Sequence, residues 1–189
     1  MEVFLPLYSS YFYCVKVGFE NTSSLLEEIK KLPRKTTDPN NTNSEDSEIS
    51  AELIKPIEIK LQEIYEDIQV IKPWVHFTEP GGVTLPHNHE EPEAETYRTL
   101  SWVYWLKIPE NSGDFVFYRE YPKLIRKIQP KEDYLMFFAG ENTHYTLKNL
   151  SNETRISISG NFVVDKIINN DIIKNILGYH NFMEQRITL

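Results

Sequence analysis

From Lys72 to Val164 the chain is a succession of short apolar or alternating runs, each closed by a turn signal. The runs are "PWVHF", "GVTLPH", "YRTLSWVYWLKI", "GDFVFYR", "LIRKIQ", "DYLMFFA", "HYTLKNL" and "TRISISGNFVV". Alternation with period two marks strands that bury one face, and the Gly, Pro, Asn and Asp residues between the runs mark their ends. Eight short strands at this spacing predict a barrel or a jelly-roll sandwich. Upstream, residues 3–18 also alternate and are rich in Phe, Tyr and Val, which predicts one or two more strands. "NTSSLLEEIKKLP" predicts a short helix, with Ser24 and Glu27 as a capping box and Pro33 just past its end.

Residues 35–50, "KTTDPNNTNSEDSEIS", offer almost nothing to a core and read as a surface loop. In residues 51–70, Leu53, Ile57, Leu61, Ile64 and Tyr65 recur at helical spacing. They predict an amphipathic helix entered or kinked at Pro56. After residue 165 the period returns to that of a helix, expected to pack on the outside. The expected fold class is mainly β with flanking α. One domain is expected over residues 1–189: strands and helices over 1–71, a β core over 72–164 and a helical segment over 165–189. No internal repeat is visible.

Composition narrows the function classes. The chain has 189 residues, 40% hydrophobic and 25% charged, in the ordinary globular range. Its net charge of −8 argues against a nucleic-acid backbone or an anionic membrane surface as the main partner. The single cysteine, Cys14, excludes an intrachain disulfide and points to a reducing compartment. Lying in an apolar strand-like run, it reads as a buried structural thiol. The N-terminus lacks the marks of a signal peptide, and no apolar window is long enough to span a bilayer. A cytoplasmic protein is expected.

The chemistry centres on histidine. Of five histidines, His87 and His89 stand in "LPHNHEEPEAE", where an extended backbone would point both to one face. Alone, "HNH" also suits a wet sheet surface. A third histidine, His144, opens a strand after the turn "FFAGENT". Arg155 opens the next, with Ser157 and Ser159 on the same face. An arginine alternating inward needs a partner, because guanidinium is almost never buried unpaired. A carboxylate ligand would supply one through a bidentate contact. Three imidazoles and an anion-seeking arginine suit a borderline divalent metal with an anionic co-substrate. His76, two residues after Trp74, is expected to face inward or to donate a supporting hydrogen bond, and His180 to be a surface or packing residue.

The stretches "KPWVHFTEPGGVTLPHNH", "TLSWVYWLKIPENSGDFVFY", "DYLMFFAGENTHYTLKN" and "ETRISISGNF" resemble, in order and spacing, the 2-oxoglutarate/Fe(II)-dependent oxygenases. The resemblance is nearest the small prolyl-hydroxylase-like branch of bacteria and their phages. It covers residues 72–164 and follows that family's H-x-(D/E)…H…R order. It implies a double-stranded β-helix of two packed sheets. It also implies that His87 and His144 ligate iron, that Arg155 grips the distal carboxylate of 2-oxoglutarate, and that Ser157 adds a hydroxyl there. Ser101 and Trp105 are expected to border the co-substrate pocket. The departure is His89, where the family carries a carboxylate; either three imidazoles hold the metal or Glu90, Glu91 or Glu93 reaches it. The implied partners are 2-oxoglutarate and O2, with a protein side chain, such as proline, or a small molecule hydroxylated. The target would be held by the loop after His89 and by residues 118–123.

Two other readings fit the same residues. The cupin pattern G-(x)5-H-x-H-(x)3,4-E is met by Gly81, His87, His89 and Glu93, with His144 as a fourth ligand and no 2-oxoglutarate. A non-enzymatic β-sandwich would hold incidental histidines or a structural metal. Arg155 discriminates between them: the oxygenase requires it and the cupin does not.

Overall fold

The computed structural model describes residues 3–7, 10–36, 44–50, 52–64, 71–89, 97–119 and 124–165. The expected C-terminal helix, His180, the acidic run of residues 90–95 and the 120–123 segment lie outside them. Two strands come first, β1 (Val3–Leu7) and β2 (Ser10–Lys16), followed by helix α1 (Thr22–Lys30). Strands β3 (Lys35–Thr36) and β4 (Ser44–Glu48) precede helix α2 (Lys55–Ile64). The eight predicted runs then appear as β5 (Ile71–Thr78), β6 (Thr84–His87), β7 (Tyr97–Lys107) and β8 (Phe115–Arg119). They end with β9 (Leu124–Ile128), β10 (Tyr134–Ala139), β11 (His144–Thr146) and β12 (Arg155–Asp165).

Among the described residues these strands form two antiparallel sheets. The larger runs β1-β2-β10-β7-β12-β5-β4-β3 and the smaller runs β6-β11-β8-β9. This is the two-sheet jelly roll of a double-stranded β-helix. Alternation along the strands of the large sheet feeds two separate apolar clusters. On one face Val75, Phe77, Trp102, Tyr104, Ile156 and Ile158 pack against the helices through Leu25, Ile29, Ile57 and Leu61. On the other, Val103, Trp105, Met136 and Phe138 meet Phe115 and Phe117 of the small sheet. Each buried aliphatic or aromatic side chain contributes about 1.5–3 kcal/mol, so the helices fasten the large sheet from behind and leave its front for the second sheet.

Two sequence expectations are corrected. Helix α1 begins at Thr22 with Asn21 as its cap residue and no side-chain capping bond, so Ser24 and Glu27 form no capping box. Residues 35–50 are not a plain loop, since β4 pairs with β5 in register Ser44↔Thr78, Asp46↔His76 and Glu48↔Trp74. Backbone pairing along the exposed edge of β5 compensates for the missing apolar side chains, because a free edge strand presents unpaired N–H and C=O groups. Ser44 and Ser47, small enough to pack, are buried there. In α2 the predicted stripe is realised at Ile57 and Leu61, with Leu53 packed against it and Ile54 added. Pro56 sits in the first turn, where its missing N–H costs nothing. Tyr65 lies outside the described residues.

Candidate functional site

The apolar cluster between the sheets fills only part of the interior. The remainder is a cavity of about 440 Å³, walled by polar residues of β4, β5 and β12 on one side and of β6 and β11 on the other. Strand register arranges the large-sheet wall in rows. Ser44, Thr78 and Arg155 stand side by side. Two residues along come Asp46, His76, Ser157 and Trp105. The next row holds Trp74, Ser159 and Val103.

On the small sheet, His87 and His144 are direct cross-strand partners. His89 follows β6 and is placed by its backbone N–H, which donates to the Gly140 carbonyl at 2.8 Å. One ligating nitrogen from each of His87, His89 and His144 lies within 4.8 Å of the others, so the three could hold a metal ion. His87 Nδ1 bonds the Leu85 carbonyl at 2.8 Å and His144 Nδ1 the Asn142 carbonyl at 2.9 Å. A carbonyl can only accept, so in both rings Nδ1 carries the proton and Nε2 keeps its lone pair. His144 is wrapped by Phe115 and Phe138, with ring centroids 5.3 and 4.7 Å away. Burial, and then the neighbouring His87, push its pKa well below the usual imidazole value. His89, beside Trp74, is pushed down to about 4 by the same two causes in the same order. Both are therefore neutral at pH 7 and ready as donors.

Arg155 brings a positive charge to the cavity wall. It is 3% exposed. Its Nη1 donates to the carbonyls of Ser112 (2.6 Å) and Gly113 (3.3 Å). Its Nη2 donates to the hydroxyls of Thr146 (2.6 Å) and Thr78 (3.1 Å). All four partners are neutral. Burial lowers its pKa to about 10, so it stays charged at neutral pH. A carbonyl pair from the 112–113 turn is possible because Gly113 has φ of +92°, and a Cβ there would stand 2.3 Å from the Leu147 carbonyl oxygen.

Of the sequence candidates, His87, His89, His144, Arg155, Ser157 and Trp105 all line the cavity. Ser101 does not; it is buried on the same face of β7, and its hydroxyl donates to Asn161 Oδ1 at 2.8 Å. Glu90, Glu91 and Glu93 lie outside the described residues. His76 makes supporting hydrogen bonds as expected, to Asp46 Oδ1 through Nδ1 and to Thr84 Oγ1 through Nε2. Sequence reasoning missed Asp46, Thr78, Thr84 and Thr146. Thr146 was open to discovery, since it lies two residues beyond His144 on the same strand face. Asp46 gave no signal inside its polar stretch. Cys14 is partly buried against the inter-sheet cluster, and burial pushes its thiol up to about 12, which makes it a poor nucleophile.

No known family profile and no curated protein matches the sequence. The solved structures do. HygX from Streptomyces hygroscopicus, determined with nickel, 2-oxoglutarate and hygromycin B bound, superposes with a TM-score of 0.61 at 9% identity. That match covers 80% of this chain and 82% of HygX. The viral collagen prolyl hydroxylase of Paramecium bursaria Chlorella virus-1, in its 2-oxoglutarate complex, gives a TM-score of 0.59 at 21% identity, over 82% of this chain and 97% of that one. The Trichoplax adhaerens prolyl hydroxylase, in complex with a peptide of hypoxia inducible factor, gives 0.61 at 16% identity, over 82% and 77%. The chain thus has the double-stranded β-helix fold of the 2-oxoglutarate/Fe(II)-dependent oxygenases.

Proposed function

We propose that this protein is a 2-oxoglutarate- and Fe(II)-dependent oxygenase that hydroxylates a protein side chain or a small molecule. The observation that carries the reading is Arg155: a charged guanidinium, buried and bonded among the described residues to neutral groups, in the same cavity as three converging imidazoles. A buried charge without a counter-ion costs free energy unless a ligand brings one. An anion that also reaches the metal would offset that cost.

The donor set fits a borderline divalent metal: Nδ1–H bonds to backbone carbonyls fix the ring orientation of His87 and His144, and burial keeps His89 and His144 neutral. His87, His89 and His144 would hold Fe(II), and the bound iron with 2-oxoglutarate would supply the oxidative C–H chemistry. The chain's own share is positioning. Arg155 and the Ser157 hydroxyl receive the distal carboxylate of 2-oxoglutarate. Trp105, Val103 and Phe115 exclude water from its carbon chain. The cavity volume lies within the range of small-molecule sites, and Leu85, 45% exposed and lining the cavity, offers an apolar contact to an incoming substrate. The structural neighbours hold bound molecules of both kinds, hygromycin B in HygX and a peptide in the Trichoplax hydroxylase.

The test is an anaerobic titration of the Fe(II)-loaded protein with 2-oxoglutarate, read by the visible charge-transfer band of the chelate. A band in the wild type that is lost in Arg155→Ala is the expected result. Bound iron with no band would sink the oxygenase reading and favour a cupin-type site.

A further inference from the structure

The hydroxyls that hold Arg155 belong to a longer chain. Thr146 Oγ1 receives a proton from Arg155 Nη2 at 2.6 Å and another from the Thr84 backbone N–H at 3.1 Å. Neither of those groups can accept. Both lone pairs of Thr146 are thereby occupied, so its own proton must point to its remaining neighbour, Thr84 Oγ1, at 2.9 Å. Thr84 Oγ1 stands 3.0 Å from His76 Nε2. The other ring nitrogen, His76 Nδ1, meets the Asp46 carboxylate at 2.5 Å. The carboxylate takes a proton from Nδ1, which leaves Nε2 with the lone pair that accepts the Thr84 hydroxyl. Every proton from Arg155 to Asp46 then points one way.

We propose that Asp46 and His76 are positioning residues for the anion-binding guanidinium, acting through Thr84 and Thr146. This rests on the reading of Arg155 as the co-substrate's carboxylate receptor. Asp46 fixes the His76 tautomer, the tautomer turns the Thr84 proton toward Nε2, and Thr84 Oγ1 is thereby kept as an acceptor for the Thr146 proton. The lone pairs of Thr146 therefore face Arg155 before any ligand arrives, and the guanidinium plane is set in advance. The same relay places the Asp46 negative charge at the far end of a polarised chain from a cation that has no carboxylate of its own among the described residues. The geometry makes β4 part of the site, although it lies at the margin of the large sheet and far from the metal-binding strands in sequence.

Two measurements on the Zn(II)-loaded full chain test this. The first is long-range 15N–1H NMR of the His76 ring. The Nδ1-protonated neutral tautomer is expected, while an Nε2–H signal, in either the other tautomer or the imidazolium, would overturn the assigned direction. The second is calorimetric titration with 2-oxoglutarate of wild type, His76→Leu and His76→Gln. Glutamine can keep an acceptor near the Nε2 position. His76→Leu should weaken 2-oxoglutarate by about tenfold or more, the usual scale for supporting residues, with Zn(II) affinity unchanged and His76→Gln recovering most of the loss. Equal binding by wild type and His76→Leu would overturn the positioning role and leave the oxygenase reading intact. A wild type that binds zinc without 2-oxoglutarate would overturn both.

Discussion

His87 and His144 face each other across neighbouring antiparallel strands, ring centroids 4.4 Å apart, and each bonds its Nδ1 to the carbonyl two residues earlier in its own chain. The repeated backbone bond is what turns both Nε2 lone pairs toward a common point. Such a fixed tautomer is how proteins hold an imidazole as a metal ligand. Replacing His144 by Ala should therefore weaken divalent metal by more than the roughly 10–100-fold that supporting residues command. Zn(II) competition titration measures it.

At position 89 an imidazole leaves the donor set without negative charge. His89→Asp would bring the metal a hard anionic oxygen, which manganese favours over an added imidazole. Mn(II) should bind more tightly to this variant than to the wild type, and the ratio of Mn(II) to Cu(II) affinity should rise. An unchanged ratio would show that residue 89 does not reach the ion.

Loss of the guanidinium should act on the co-substrate rather than on the metal. Arg155→Ala is expected to weaken 2-oxoglutarate about 30-fold or more, since truncating one side of a buried charge pair costs several kcal/mol. Arg155→Lys should fall between the two, because a point charge cannot reproduce the planar fork. Isothermal titration of the zinc-loaded variants gives both numbers, and metal affinity should stay at the wild-type value.

The metal-free protein should lose stability in mild acid. His89, with a folded pKa of about 4, and His144, also lowered, stay neutral in the fold below pH 6.5, while the unfolded chain takes up protons. The unfolded state then binds more protons, so stability falls as pH drops from about 6.5 toward about 4, by up to about 1.4 kcal/mol per pH unit for each imidazole. Urea unfolding across that window, read by fluorescence, should show this slope. A metal-free protein equally stable at pH 7 and pH 5 would contradict it.

One buried amide secures the corner that delivers Arg155. Asn149 donates through Nδ2 to the carbonyls of Thr78 and Glu153, and its Oδ1 accepts from the N–H and hydroxyl of Ser151. Asn149→Ala would leave those carbonyls short of a donor and should lower stability by about 2–3 kcal/mol. Denaturant unfolding measures the change.

The sequence by itself determined the strands of the core, because period-two alternation and turn residues are local signals. It also singled out the candidate site: His87, His89, His144 and Arg155 stood out by residue type and alternation, and the structure brings all four to one cavity. Long-range pairing decided the rest. Residues 35–50 read as loop because their side chains are polar, yet β4 forms since the edge of β5 needs a partner for its backbone. That pairing carries Asp46 to His76, a contact of two residues 30 positions apart. Ser101 shares a face with Trp105 and still falls outside the cavity, with its hydroxyl bonded to Asn161 of the adjacent strand. Side-chain type and spacing record which face a residue takes; which strand lies beside it is set by hydrogen bonds between backbones, and those carry no residue identity.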